Sequence, residues 1–385
     1  MSIYDTIIVG AGPAGATAAR DLASQGYKVL LIEKEVLPRY KACGGGLTKK
    51  CYDLFDFDIS DVVEDMTYKM VFAYGKGEPV VLESTEPWIY MVKRDVFDAR
   101  LVQKACEAGV EFHQGEKVVD VIQQEDGVHI ITEKSEYSGK YVVAADGIFS
   151  VIGKKFGIKR RYGIALEAEI PVGKEALERY KGTVKVDFNA IRGGYAWIFP
   201  KSDSLSGIGT FVKKYNNLRD LLYNFMEKED IPPGSIATLK GHPIALNDGS
   251  FDAFSVDRIV FAGDAAMLTD PFTGEGIYYA VKSGILAARS IARALSGGGK
   301  DGIKSYNNSI KKAFIKDIKV ASLIANVFYR DYERVFTIIK KHPNVMNYFG
   351  DLVRGKESYS RMPFDIMRDA VGFNKVKKLK RSFEA

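Results

Sequence analysis

Residues 5–16 read Asp-Thr-Ile-Ile-Val-Gly-Ala-Gly-Pro-Ala-Gly-Ala, a β-branched run that breaks into Gly10-x-Gly12-x-x-Gly15. An alanine-rich helix is predicted to follow, stopping at Gly26, and a second apolar strand from Lys28 to Ile32 ends in Glu33. Strand, glycine turn, helix, strand and acid within about thirty residues make the dinucleotide-binding βαβ pattern. Gly10 permits the tight turn, Gly12 lets a pyrophosphate approach the backbone, and Gly15 lets the helix lie close to the strand. Free N–H groups and partial positive charge at the helix start attract phosphate. Glu33 is placed to accept hydrogen bonds from ribose hydroxyls. The turn by itself does not separate FAD from NAD.

A chain of 385 residues is long for one core and predicts two or three lobes. With 46% hydrophobic and 27% charged residues it has a globular composition. A net charge of +6 reads as solubility, and nucleic acid is not an expected partner. No apolar run reaches the length of a membrane span. The first strand starts almost at Met1, which leaves no room for a secretory leader. Cys43, Cys51 and Cys106 are too few and too irregularly spaced for a disulfide framework, so a reducing cytoplasm is the expected compartment. Four histidines without ligand-type spacing predict no metal centre.

Along the chain, Ala42-Cys43-Gly44-Gly45-Gly46-Leu47 follows the acid by one short loop. Three successive glycines give a backbone that can wrap closely around a flat or charged ligand. Residues 51–90 read as irregular structure with short strands at 69–74 and 79–82. A helix begins near Arg94, where a cation gains nothing from the helix dipole, so a ligand role for Arg94 is favoured. Strands around 110–113, 117–123 and 128–132 follow, and the 141–145 strand ends in Asp146-Gly147. From about residue 160, strands at 184–188, 194–199 and 207–212 predict an antiparallel second lobe. Tyr195, Trp197 and Phe199 alternate, which puts three rings on one face of one strand. A helix over 215–230 is followed by the breaker Pro232-Pro233-Gly234. The buried strand 258–262 runs into Gly263-Asp264, then a loop to Gly274-Glu275-Gly276, then a helix from Ile277 that ends at Ser296-Gly297-Gly298-Gly299. The remainder, from 301, is helical and basic.

Three of these blocks together resemble the FAD-containing fold of p-hydroxybenzoate hydroxylase and its relatives: the N-terminal turn, Asp146-Gly147, and Gly263-Asp264 with Gly274-x-Gly276. Cys43-Gly44-Gly45-Gly46-Leu47, Tyr195-Ala196-Trp197-Ile198-Phe199-Pro200 and Gly274-Glu275-Gly276-Ile277-Tyr278-Tyr279-Ala280 are similar to the geranylgeranyl reductase family. The resemblance covers about residues 1–300. It implies an α/β fold: an FAD-binding Rossmann-type domain (1–67, 92–159 and 250–300), an antiparallel β-sheet substrate domain (68–91 and 160–249) and a helical C-terminal region (301–385). It implies cofactor contacts at Gly10, Gly12, Ala14, Gly15 and Glu33, at Cys43, Gly44 and Gly46 along the flavin, and at Arg94, Val118, Asp264, Gly276 and Ile277. Flavin hydroxylases commonly read Asp-Gly-x-x-Ser-x-x-Arg; this chain has Asp146, Gly147 and Ser150, but Gly153 in place of the arginine.

The resemblance further implies an FAD-dependent reductase that saturates carbon–carbon double bonds of geranylgeranyl or other prenyl chains, with ether-type phospholipids as the substrate. Tyr195, Trp197 and Phe199 would wall an apolar tunnel. The proton donor is open between Cys43, Tyr195 and a bound water, and the electron donor between NAD(P)H and a reduced ferredoxin. A flavin monooxygenase acting on an aromatic or quinone, and a non-catalytic lipid carrier that retains FAD, are the alternatives. Lys375, Lys377, Lys378, Lys380 and Arg381 form a basic tail without acids, which predicts peripheral contact with an anionic membrane.

Overall fold

The computed structural model describes residues 3–210, 217–252, 254–342 and 344–362. The chain divides into two compact units: Met1–Lys41, Arg94–Arg161 and Ala245–Ile315, and Ala42–Lys93, Tyr162–Ile244 and Lys316–Ala385.

The first unit is built on an eight-stranded sheet. Its centre is parallel: Ile3–Val9 lies between Val29–Glu33 and Glu136–Ala144, with Glu111–Gln114 beyond the former and Ile259–Phe261 beyond the latter. Register aligns Val9 with both Ile32 and Ala144, so these strands end level with the glycine turn. Ile7, Ile8, Leu30, Leu31, Val142 and Val143 are fully buried. Strands covered on both faces read as continuous apolar runs, and each such side chain contributes about 1.5–3 kcal/mol on burial. The Val118–Gln123 and Val128–Thr132 strands form an antiparallel hairpin on the early part of Glu136–Ala144. The Pro13–Ala23 helix is crossed by the Ile277–Arg293 helix at Gly284, where a Cβ would stand 2.4 Å from the Ala14 carbonyl oxygen. Backbone meets backbone there, which a larger residue forbids.

The second unit carries a seven-stranded sheet in the order Thr238–Ala245, Tyr162–Pro171, Ser204–Thr210, Gly194–Pro200, Thr183–Asp187, Lys69–Ala73, Val80–Glu83. Thr183–Asp187 and Lys69–Ala73 pair in parallel, while Tyr162–Pro171 with Ser204–Thr210, Ser204–Thr210 with Gly194–Pro200, Gly194–Pro200 with Thr183–Asp187, and Lys69–Ala73 with Val80–Glu83 pair antiparallel. One face of the Gly194–Pro200 strand packs Ala196 and Ile198 against Ile170, Leu205 and the Leu222, Phe225 and Met226 side of the Leu218–Lys228 helix.

Two features depart from the sequence reading. Residues 42–67, expected with the first domain, belong to the second unit, because Gly46–Thr48 and Val63–Thr67 both pair with Ile89–Val92 in a three-stranded sheet. The C-terminal stretch is not separate: helices Gly299–Ile310 and Lys316–Phe328 fall in the first and second units respectively. The expected 207–212 strand is Ser204–Thr210. The basic tail at 375–381 lies outside the described residues. No helix among the described residues is long and apolar enough to cross a membrane.

Candidate functional site

At the glycine turn the three glycines have different reasons to be glycine. Gly10 has φ +98°, and a Cβ there would stand 2.4 Å from the Ala145 carbonyl oxygen. Gly15 would put a Cβ 1.9 Å from the Gly10 carbonyl oxygen. Gly12 meets nothing of the protein nearer than Arg39 Nη2 at 4.0 Å. Its face is open, and it is the N-cap of the Pro13–Ala23 helix with no side-chain cap and no acid in the first turn. The protein's own packing therefore explains Gly10 and Gly15, and leaves Gly12, Ala14 and the Gly15 N–H end of the helix presenting unneutralised positive potential to a ligand.

Glu33 is buried, and its carboxylate closes the turn: Oε2 accepts from the Ala11 N–H at 2.8 Å and Oε1 from the Glu35 N–H at 3.1 Å. Arg39 Nη2 lies 3.7 Å from Glu33 Oε2, while its Nη1 donates to Asp98 Oδ2 at 2.9 Å. Arg94 donates to the same fully buried Asp98 from Nε and Nη2. Arg94, singled out from sequence, thus stands at the start of the Arg94–Glu107 helix because Asp98 one turn later holds it. Arg39 and Asp98 were not legible as site residues; Asp98 at the fourth position after Arg94 was the one available signal. Val118 is buried at the start of its strand, beside the register shift opposite Ile131 and Thr132.

Asp264 sits in the Gly263–Ala266 turn after the Ile259–Phe261 strand, with Gly263 at φ +58° and its N–H donated to Ser283 Oγ at 2.9 Å. Thr269 Oγ1 donates to Asp264 Oδ1 at 3.4 Å. The same carboxylate oxygen lies 3.9 Å from where a Gly276 Cβ would be. Gly276 is the N-cap of the Ile277–Arg293 helix, again with no side-chain cap and no acid in its first turn. The buried Asp270 shapes the loop before it, accepting from the Phe272 and Thr273 N–H groups. The first unit therefore gathers two uncapped helix starts, Asp264 and the Arg39–Asp98–Arg94 cluster. These are donors for anionic phosphates and for an electron-rich ring edge, and acceptors for sugar hydroxyls, a set that fits FAD.

The second unit holds Cys43, Gly44, Gly46, Tyr195, Trp197 and Phe199. Cys43 Sγ accepts from the Gly45 N–H at 3.4 Å. A Cβ on Gly44 would stand 2.8 Å from Phe199 Cδ2 and 3.1 Å from Trp197 Nε1, so the glycine loop lies directly on these rings. Gly45 has φ +77° and lies against the Val92 carbonyl oxygen, with the Lys201 stem beneath it. Lys201 itself is buried and paired with Glu169. Tyr195 to Trp197 and Trp197 to Phe199 are ring neighbours at 5.7 Å and 6.1 Å, so the three rings do share a face. Tyr195 and Phe199 are half-buried; Trp197 is buried, yet its indole N–H finds no hydrogen-bond partner among the described residues. The ring series continues from Tyr195 to Phe188 at 6.0 Å, to Phe328 at 4.7 Å and to Phe336 at 5.6 Å, where Tyr74 stacks flat at 3.8 Å. Phe328 and Phe336 come from the C-terminal helices, to which the sequence reading gave no role.

Comparison with known proteins bears on both sets of residues. The family profile described as FAD binding domain matches residues 3–178. An uncharacterised protein of Methanosarcina barkeri is 33% identical over 368 residues, 94% of each chain. The digeranylgeranylglycerophospholipid reductase of Thermoplasma volcanium is 30% identical over 326 residues, 77% of this chain and 79% of its own. The chain belongs to the geranylgeranyl reductase family. As a member of that family it is an FAD-dependent oxidoreductase. In solved structures, a geranylgeranyl bacteriochlorophyll reductase-like protein of Thermoplasma acidophilum shares the fold, with a TM-score of 0.78 at 23% identity over 99% of both chains. The geranylgeranyl reductase fold thus accounts for the whole described chain, including the C-terminal helices that carry no motif.

Proposed function

We propose that this reductase saturates isolated double bonds of a geranylgeranyl chain carried on an ether-type phospholipid. The observation that carries the reading is the pair of half-buried rings, Tyr195 and Phe199, that flank the buried Trp197 under the glycine loop. Such a surface suits a long, branched hydrocarbon, which gains about 0.8 kcal/mol for each methylene it buries. The relatives named for this reaction support it.

In this reading Gly12, Ala14 and Gly15 line the cofactor pyrophosphate, Gly10 makes the turn, and Glu33 accepts from the hydroxyls of the adenosine ribose. Val118 meets the adenine, Asp264 the ribityl hydroxyls, and Gly276 and Ile277 the pyrimidine edge. Arg94, Cys43, Gly44 and Gly46 complete the contacts. FAD, when bound and reduced, supplies a hydride to one alkene carbon. The chain must supply a proton to the other and exclude water, because an unactivated alkene has no carbonyl to polarise it. Cys43 is the proposed proton donor: its sulfur already accepts from Gly45, which leaves the S–H free to donate elsewhere. Electrons arrive from NAD(P)H or reduced ferredoxin. The basic tail at 375–381 brings the protein to anionic membrane, where its lipid resides.

The deciding experiment mixes photoreduced enzyme with geranylgeranyl phospholipid under anaerobic conditions and reads the lipid by mass spectrometry. Added hydrogen in pairs supports the proposal. Product that requires oxygen indicates a monooxygenase, and an unchanged lipid with the flavin still reduced indicates a carrier. The Cys43→Ser variant, run alongside, should reduce its flavin normally and turn over lipid more slowly. Liposome co-sedimentation of the full chain and of a chain lacking 374–385 tests the membrane contact: salt-sensitive binding should depend on the tail.

A further inference from the structure

Glycine at position 153, where flavin hydroxylases commonly carry arginine, has a physical cause outside its own backbone. Gly153 lies in the Val151–Lys155 helix, so no left-handed conformation requires glycine there. A Cβ at 153 would stand 2.6 Å from Arg160 Nη2. The guanidinium of a residue seven positions downstream covers the site from which a side chain at 153 would project.

The surroundings tie that guanidinium to the dinucleotide turn. A Cβ on Gly10 would stand 3.0 Å from Asp146 Cα, so Asp146–Gly147 lies against the fingerprint. Asp146 Oδ2 accepts from the Val151 N–H at 2.8 Å, and Ser150 Oγ accepts from the Gly153 N–H at 2.8 Å. Arg160 Nη2 donates to the Ser150 carbonyl oxygen at 2.7 Å, which closes the segment from 150 to 160. Asp146 Oδ1 and Arg160 Nε are both buried and neither has a hydrogen-bond partner among the described residues. Burial lowers the pKa of the Arg160 guanidinium, and the nearby Asp146 charge opposes that shift.

We propose that Arg160 is the arginine this motif lacks at 153, delivered from downstream, and that it positions the Asp146–Gly147 segment against the glycine turn for FAD binding. Gly153 and Arg160 are then one compensated pair. Arg160 is a positioning residue, and the inference rests on FAD binding by the first unit, whatever substrate is reduced.

The test measures FAD dissociation constants by reconstituting the full-length apoprotein, with the visible spectrum of the bound flavin and the apoprotein melting temperature read in parallel. Arg160→Ala should weaken FAD binding by about tenfold, the loss of one charge-assisted contact. Gly153→Arg alone should weaken it as much, because its Cβ displaces the Arg160 guanidinium from the Ser150 carbonyl. The double variant Gly153→Arg/Arg160→Gly should recover FAD affinity to within about threefold of the parent and restore its spectrum. Recovery supports the pair even where a single variant folds poorly. A double variant no tighter than the weaker single overturns the proposal, as does unchanged affinity in Arg160→Ala. Arg160→Lys is expected to recover little, since an ammonium lacks the planar fork that spans the segment.

Discussion

Arg94 holds Asp98 with two parallel hydrogen bonds, Nε to Oδ1 at 2.8 Å and Nη2 to Oδ2 at 2.9 Å, from one helical turn away. Arg39 reaches the same carboxylate from the loop after Glu33. One wholly buried acid therefore fixes two cations, of which Arg39 stands beside the open face of Gly12. Asp98→Ala removes the carboxylate both guanidinium groups share. The expected cost is about 3–5 kcal/mol of unfolding free energy, the usual result of breaking a buried pair from one side. Urea denaturation of the apoprotein measures it, and FAD retention should fall in parallel.

Gly10 and Gly12 should separate in behaviour. Gly10→Ala places a Cβ at positive φ and against the Ala145 carbonyl, so it should lower the melting temperature of the apoprotein itself. Gly12→Ala meets no protein atom within 3.9 Å and has φ −75°, so its apoprotein should stay within about 1 kcal/mol of the parent. Its FAD affinity should nonetheless drop by about tenfold or more. Equal FAD binding by Gly12→Ala and the parent would mean that the open face is not the cofactor's.

Gly44 and Phe199 form a testable contact in the second unit. Gly44→Ala pushes a methyl into Phe199 Cδ2, and should slow lipid turnover while flavin content stays normal. Gly44→Ala/Phe199→Leu makes room and should recover part of the loss. Trp197→Ala, by contrast, empties a buried site and should cost about 3–5 kcal/mol, so its melting curve must accompany its activity.

Asp146 makes stability depend on pH. Burial raises its carboxyl pKa above the ordinary 3.8, with the Ser150, Ile152 and Val151 donors only partly offsetting that cost. A raised acid binds more protons folded than unfolded, so its contribution is present below 3.8 and is lost as pH rises through the folded value. Asp146→Asn cannot ionise and keeps an oxygen for the Val151 N–H. Its apoprotein should be more stable than the parent at neutral pH, with the gain vanishing in acid, and should bind FAD less well. Thermal melts across pH check both slopes.

The legible parts of this molecule are local. The glycine turn, the two strands around it and the Asp264 and Gly276 turns each lie within a short window whose periodicity and turn residues agree. The alternation of Tyr195, Trp197 and Phe199 likewise gave their shared face. What sequence could not show is pairing at a distance. Arg39 and Asp98 are 59 positions apart and each reads as an ordinary surface charge. Phe328 and Phe336 lie on helices whose apolar positions announce burial without naming the sheet they cover. Residues 51–90 read as largely irregular because strands of four or five residues, such as Val63–Thr67 and Ile89–Val92, are too short for alternation to register. Gly153 read as a missing arginine, although the Arg160 guanidinium covers the place where a side chain at 153 would begin.

The first unit is assembled from three separated stretches of chain, and this has a consequence for synthesis. The Tyr27 hydroxyl donates to the Ala292 carbonyl across 265 residues, and Gly284 is what seats the second helix on Ala14. Ribosomes add about 5–20 residues each second, so about 13–50 s separate the emergence of the glycine turn from that of the helix that covers it. During that interval the strand can pair with Val29–Glu33 and Glu136–Ala144, but the face of the Pro13–Ala23 helix on which Gly284 sits stays uncovered. Flavin loading is thereby deferred until the stretch around Gly284 has emerged, and a nascent chain stalled before residue 284 should remain open to chaperones and colourless.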